Sequence, residues 1–294
     1  AIKEGKSEVI RELDEGLKKA LAVRFLLEGS RLRTSGVKHQ EIIGVIDQGI
    51  ALDPAAPQGY SLRSAVHSDL KRYEPALADI DRAIERAPES LALKIEKAAL
   101  FEESEKYQEM LDFLEETVAQ YPGEAMFLAL RGFARATVMP WDSDPGFNDL
   151  SEALRLDPKN AMIFFLRARI RYKEGDQFGA IADFNRAIAL DPSLMEARIL
   201  KAGLTRDLVE AQNLVKLAPQ NTKAMMILAD VLLEKAMPEV SIPGALDIAA
   251  RLEERGFDPN AVNLLRDLAR RRAQCLDPFE RFRNLAKSQG GCRG

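Results

Sequence analysis

An all-helical solenoid of antiparallel helix pairs is the fold class this sequence predicts, and three observations carry that expectation. Prolines recur at 54, 88, 122, 158, 192, 219 and 259, with spacings of 34, 34, 36, 34, 27 and 40 residues. Between them, apolar residues follow a helical period. Small residues return once per period at Ser64, Ala98, Gly132, Ala168, Ala202 and Ala229, where the first helix of each pair has to approach the second closely. Alternating apolar runs joined by Asn-Gly turns, the signature of strands, are absent from the sequence.

Each proline follows an apolar helical run, as in Ile50-Ala51-Leu52-Asp53-Pro54 and Leu154-Arg155-Leu156-Asp157-Pro158. Proline cannot continue a helix but fits the first turn of the next, so each one marks a joint between units. Within a unit, Ala180, Ile181, Phe184, Ala187, Ile188 and Leu190 form one apolar stripe, with Asp183, Asn185 and Arg186 expected opposite it. Ala76, Leu77, Ile80, Ala83 and Ile84 repeat that stripe earlier in the chain.

These residues resemble the tetratricopeptide repeat family. The match is clearest over 57–90 and 161–194; in the latter, Phe164, Leu166, Arg167, Ala168, Ala180, Phe184, Ala187 and Pro192 fit the family's large, small and proline pattern. The resemblance covers residues 23–259 as about seven units (23–56, 57–90, 91–124, 125–160, 161–194, 195–221, 222–259) and implies a right-handed superhelical solenoid. The sixth unit is seven residues short, which requires trimmed helices or a trimmed turn. The seventh is long, with residues 237–244 expected between its helices. Residues 1–22 read as an N-terminal helix of mixed charge, with no strong breaker before 33. Residues 260–294 read as a capping helix and tail, with Val262, Leu265 and Ala269 inward and Arg266, Arg270, Arg271 and Arg272 on the polar outer side.

Composition excludes several classes. Of 294 residues, 46% are hydrophobic, enough to bury a core and exclude general disorder. Two cysteines exclude a disulfide-rich scaffold and a four-cysteine zinc site. No apolar run is long enough to span a membrane. A net charge of −4 argues against nucleic acid as the default partner. Residues 266–294 carry a local excess of base, but without a basic run or a stacking platform beyond Phe279 and Phe282 they read as a solvated end.

Catalytic motifs are absent: no phosphate-binding loop, dinucleotide fingerprint, His-Glu-x-x-His or nucleophile elbow occurs. Only His39 and His67 exist, without a third group to complete a catalytic or metal set. The segment 141–149 suggests a calcium loop but carries Phe147 where Gly is needed and Ala153 where a bidentate Glu belongs. Asp144 as helix cap and Pro145 as first helical residue account for it, with Trp141 expected to pack over the turn. The expectation is a non-catalytic protein with no cofactor and no metal.

In the family the first helix of each unit faces a concave groove that holds the ligand. Carried over, that phase puts Ser61, Ala65, Ser68, Ile95, Ala99 and Glu102 on the inner face of the second and third units, with Gly203 and Asp230 further on. The ligand-binding residues expected in the middle units are Met126, Phe133, Met162, Phe165, Arg169, Tyr172, Ile199 and Met226. Methionine and aromatics suit an adaptable apolar surface for an amphipathic helix or extended peptide, with Arg169 and Arg171 near an acidic flank. Some relatives clamp a terminal carboxylate with Lys, Asn and Arg; the corresponding positions are Leu27, Arg31, Ala65, Ala92 and Glu96, so that clamp is missing.

The expected function is therefore a protein-interaction scaffold that binds a protein or peptide partner. Two alternatives stand: the repeat region of a larger enzyme, and a self-assembly module that forms a homo-oligomer. The first residue is Ala1 rather than Met, which fits a cleaved signal peptide, a trimmed chain or a fragment. Cys275 and Cys292 could close a disulfide in an oxidising compartment or be two unrelated thiols. An exported or periplasmic location is the expectation, with the cytoplasm as the alternative.

Overall fold

A computed structural model of the chain describes residues 15–33, 38–234, 238–257 and 259–276. Among the described residues there are helices and turns but no strand. The helices form two compact units, residues 1–158 and 159–294.

The first unit holds four helix pairs. They are α1 (Glu15–Arg33) with α2 (His39–Leu52), α3 (Pro57–Asp69) with α4 (Tyr73–Arg86), α5 (Leu91–Glu103) with α6 (Tyr107–Gln120), and α7 (Ala125–Val138) with α8 (Asp144–Leu156). Each second helix also packs on the first helix of the next pair, and α1 touches α3 as α5 touches α7. The second unit continues with α9 (Ala161–Lys173) and α10 (Gln177–Leu190), α11 (Met195–Thr205) and α12 (Leu208–Leu217), α13 (Thr222–Glu234) and α14 (Pro238–Glu253), and ends on α15 (Pro259–Leu276) against α13 and α14.

The prolines act in the links between pairs. Ala56, Ser90, Glu124, Leu194 and Asn221 each donate a backbone N–H to the carbonyl three residues earlier, closing four-residue turns with Pro at the second position. That position suits the fixed φ of proline, and its missing N–H is not needed there. Inside the second, third and fifth pairs, a three-residue turn carries one residue in the left-handed region, Lys71 (φ 56°), Glu105 (φ 58°) and Gly175 (φ 83°). The next N–H reaches back five residues, from Arg72 to His67, Lys106 to Phe101 and Asp176 to Arg171, at 2.8–2.9 Å. This stop satisfies the last carbonyls of the first helix.

Small residues set the closeness within a pair. Ser64, Ala98, Gly132, Ala168, Ala202 and Ala229 are all buried. Gly132 and Gly146 face each other so closely that a Cβ added to either would lie 2.6 Å from the other's carbonyl oxygen. In the second pair, the Ser64 hydroxyl donates to the Ala76 carbonyl at 2.8 Å.

Several expectations change. The helix over 15–33 runs without a break across residue 22, so no boundary falls there. The fourth pair does have a longer turn, over 139–143, but Ser143 is the N-cap and Asp144 is already helical. Trp141 is 80% exposed and does not pack over that turn. In the sixth pair both helices are trimmed, to 11 and 10 residues, and α11 ends on Arg206 in the left-handed region. The long segment of the seventh pair is helical from Pro238, with Pro243 inside α14, so its extra residues lengthen the second helix. Asp183 is buried (4% exposed), not solvated opposite the stripe. Val262, Leu265 and Ala269 are buried in the second unit. Cys275 lies at the end of α15 but its side chain, and all of Cys292, fall outside the described residues.

Candidate functional site

Met126 and Phe133 belong to the first unit; Met162, Phe165, Arg169, Tyr172, Ile199 and Met226 belong to the second. Phe133 is fully buried, its ring edge-on to Tyr107 at 6.4 Å. Phe165 is 3% exposed and packs on the Phe184 ring at 6.1 Å, with the Arg169 guanidinium 5.5 Å from its own ring centre. Ile199 is buried in the core, and Met126, Met162 and Met226 are half-buried. Only Tyr172 stands largely in solvent. The expected apolar groove is therefore mostly core. A first helix packs on its own partner and on flanking helices, and that demand takes up the aromatic side chains. A charge at 133 or 165 would disrupt the pair instead of testing a surface.

The first-helix face is open elsewhere. In the first unit a cavity of about 520 Å³ lies between α1, α3 and α5, lined by Ser61, Ala65, Ser68, Ala99 and the charged Arg33, Asp69, Glu96 and Glu103. Ser61 donates to Glu96 at 2.7 Å, and Ser68 donates to Glu103 one helical heptad along. At one end Arg33 holds Asp69 through two bonds of 2.5 and 2.9 Å. That guanidinium keeps the Asp69 carboxyl below the usual aspartate range. With three carboxylates against one guanidinium, the lining is net acidic.

In the second unit a smaller cavity of about 200 Å³ lies between α9, α11 and α13. Its walls include Tyr172, Ile199, Gly203, Ile227, Arg206 and Asp230. Arg206 is engaged by Glu234 at 2.6 Å, while partial desolvation pushes the Asp230 carboxyl up. The trimmed α11 ends at Thr205, and its left-handed capping residue Arg206 lines this cavity.

A second feature is structural and recurs at the repeat period. Arg63 clasps Asp79 through two bonds of 2.7 Å, Arg131 clasps Asp149 at 2.6 and 2.8 Å, and Arg167 clasps Asp183 at 2.7 and 2.8 Å. One turn further along the first helix, Arg135 and Arg171 add bonds of 3.0 and 2.9 Å to the same carboxylates. The third pair replaces the bridge: Lys97 sits 4.7 Å from the Phe113 ring centre and bonds Asp81 of the preceding pair at 2.7 Å. In the second pair the one-turn-on position is His67, 4.0 Å from Asp79, with its buried Nδ1 unpartnered. Desolvation by burial pulls the His67 pKa down, and Asp79 only partly offsets it. The signal for this ladder was in the sequence as Arg and Asp recurring 16 or 18 residues apart, but as charges they read as surface.

Among the described residues no three His, Cys, Asp or Glu side chains are placed to hold a metal ion, and no helix is long and apolar enough to cross a membrane. The profile of the tetratricopeptide repeat family matches residues 148–194, which span α8 to α10. The chain has the helix-pair fold of tetratricopeptide repeat proteins. Its fold is similar to that of yeast Tom70, with a TM-score of 0.68 at 16% identity over 97% of this chain and 61% of that one. A tetratricopeptide repeat protein from Parabacteroides merdae has a TM-score of 0.56 at 13% identity, covering 85% of this chain and 99% of its own. In sequence, a DnaJ homolog subfamily C member 7 homolog of Schizosaccharomyces pombe is 26% identical over an alignment 183 positions long that covers 55% of this chain and 38% of that protein. The aligned part thus spans well under half of that relative. Tetratricopeptide repeats form helical scaffolds of the kind that bind protein partners, and this chain has that architecture.

Proposed function

We propose that this tetratricopeptide scaffold binds an extended segment of a partner protein along the first-helix face, without catalysis. The observation that carries the reading is the cavity between α1, α3 and α5. It is large enough for several side chains, and its small residues Ala65 and Ala99 let a ligand backbone come near. Ser61, Ser68, Glu96 and Glu103 supply acceptors and donors at heptad spacing, which suits a segment with repeated polar groups. The apolar middle face is not part of this reading, because Phe133 and Phe165 are core.

Photo-crosslinking residues placed at Ala65 and Ala99 test it against residues placed at Gln108 and Glu116 on the second-helix face of α6. In lysate of the source cells, defined partner bands are expected from the first pair of sites and not from the second. Bands of equal strength from Gln108 and Glu116, or bands from those sites alone, would refute the first-helix face as the docking surface.

A further inference from the structure

We infer that the cavity between α9, α11 and α13 receives a cationic side chain, lysine or arginine, of the bound segment. This rests on the reading above that partners dock on the first-helix face, and it names the chemistry of one position on it. At about 200 Å³ the cavity lies below the roughly 300–1,000 Å³ of small-molecule sites and suits one long side chain. Its floor is apolar, formed by Ile199, Ile227 and Val231. Its rim is not. Tyr172 is 48% exposed and contributes its ring to the lining, and α13 contributes the exposed Asp230.

Asp230 has no hydrogen bond or ion pair among the described residues. The guanidinium beside it, Arg206, is held by Glu234 at 2.6 Å and so does not clasp it. In the first-unit cavity, by contrast, Asp69, Glu96 and Glu103 each have a donor. Asp230 is exposed, with partial burial raising its pKa against the pull of Arg206, and a carboxylate without a protein donor is stabilised by an arriving cation. Lysine and arginine fit the rest of the lining, since their methylene stems pack on apolar walls while the charged head reaches a rim. The Tyr172 ring adds a cation–π surface. An anionic or purely apolar side chain would leave Asp230 repelled or desolvated without a partner.

The test uses the full chain and three fluorescent peptides, each a Gly-Ser spacer with one central residue: lysine, its uncharged isostere norleucine, or glutamate. Anisotropy is expected to rank lysine above norleucine by about tenfold, as a single charge-assisted bond gives, with glutamate weakest. Asp230→Asn should remove the lysine advantage and leave the norleucine peptide unchanged. Gly203→Leu, whose new side chain points toward Ile227 and fills the cavity, should remove it as well while retaining helicity. Equal binding of lysine and norleucine, stronger binding of glutamate, no lysine binding, or a lysine advantage that survives both substitutions would each overturn the inference. Crosslinking from Ala65 and Ala99 then separates the two failures. If those bands persist, the docking face stands and only its cationic position falls.

Discussion

The mutual contact of Gly132 and Gly146 makes a stability prediction that a glycine count alone would get wrong. Both sit inside helices, where alanine is ordinarily preferred by roughly 0.8–1 kcal/mol. Gly132→Ala nevertheless puts a Cβ 2.6 Å from the Gly146 carbonyl oxygen, 3.0 Å from the Asp149 Cβ and 3.2 Å from the Leu150 Cγ. The nearest obstacle is backbone on the facing helix, which cannot rotate away, so α7 and α8 must move apart. Overpacking of this kind costs about 1–3 kcal/mol. With backbone as the obstacle the upper part of that range applies, about 2–3 kcal/mol, and subtracting the gain in helix preference leaves a net loss of about 1–2 kcal/mol. Gly44 in α2 is the control, because it is exposed and a Cβ there meets nothing within 4 Å. Gly44→Ala should stabilise by about 0.5–1 kcal/mol. Thermal unfolding reads both, and hydrogen exchange over 125–156 localises the first, since a repeat array can open in parts. Gly132→Ala and Gly146→Ala meet the same barrier, so the double variant should lose less than the sum of the two. A Gly132→Ala protein as stable as the parent, or a Gly44→Ala protein destabilised to the same degree, would refute the packing argument.

Three further predictions follow from burial and charge. Asp183→Asn leaves Arg167 and Arg171 without their shared carboxylate; with those side chains 20% and 28% exposed, the loss should be about 2–3 kcal/mol in urea unfolding. Arg155→Ala, which breaks an exposed pair with Glu152, should change stability by no more than about 0.5 kcal/mol, and equal effects from the two variants would contradict the ladder's buried role. Burial lowers the His67 pKa, so as pH falls below about 6.5 the unfolded chain takes up the proton before the native one. His67's contribution is intact above that pH and is lost as pH falls toward its native pKa; the parent should therefore lose more urea stability than His67→Gln between pH 7.5 and about 5.5, and parallel losses would count against it. Trp141, the sole tryptophan, should emit like an indole in water and be quenched freely by acrylamide, and a shielded, blue-shifted emission would show the turn folded over it.

What the sequence disclosed and what it hid have separate physical origins. The repeat length was legible because each joint needs the same chemistry, a turn with Pro at its second position, and that signal does not depend on tertiary contacts. The small residues were legible for a similar reason, since close helix approach tolerates little else. The phase of the first helices was not. In α9 the run Met162-Ile163-Phe164-Phe165-Leu166 is apolar on nearly every side, because the helix meets its partner α10 and packs within a stack of other helices. A helix with several apolar neighbours has no single stripe, so spacing alone cannot separate its groove side from its core. Charged ladder residues failed in the opposite direction: Asp183 reads as surface by type and is buried by pairing.

One register position explains much of where the face is open. Ala65, Ala99, Phe133, Arg169 and Gly203 occupy equivalent places in successive first helices, at spacings of 34, 34, 36 and 34 residues. Where the residue is Ala or Gly, a cavity lies on the face: Ala65 and Ala99 line the one in the first unit, and Gly203 lines the one in the second. Where it is Phe133, the side chain is fully buried against Tyr107. Where it is Arg169, the guanidinium lies over the Phe165 ring. The shared backbone frame thus leaves the recognition chemistry to single side chains at a fixed register. The residues that open this face are small ones, which a search for aromatic and methionine anchors passes over. What they contribute is the space they leave, and the polar groups around it differ between the units: Asp69, Glu96 and Glu103 outnumber Arg33 in one, while Asp230 and Arg206 stand together in the other.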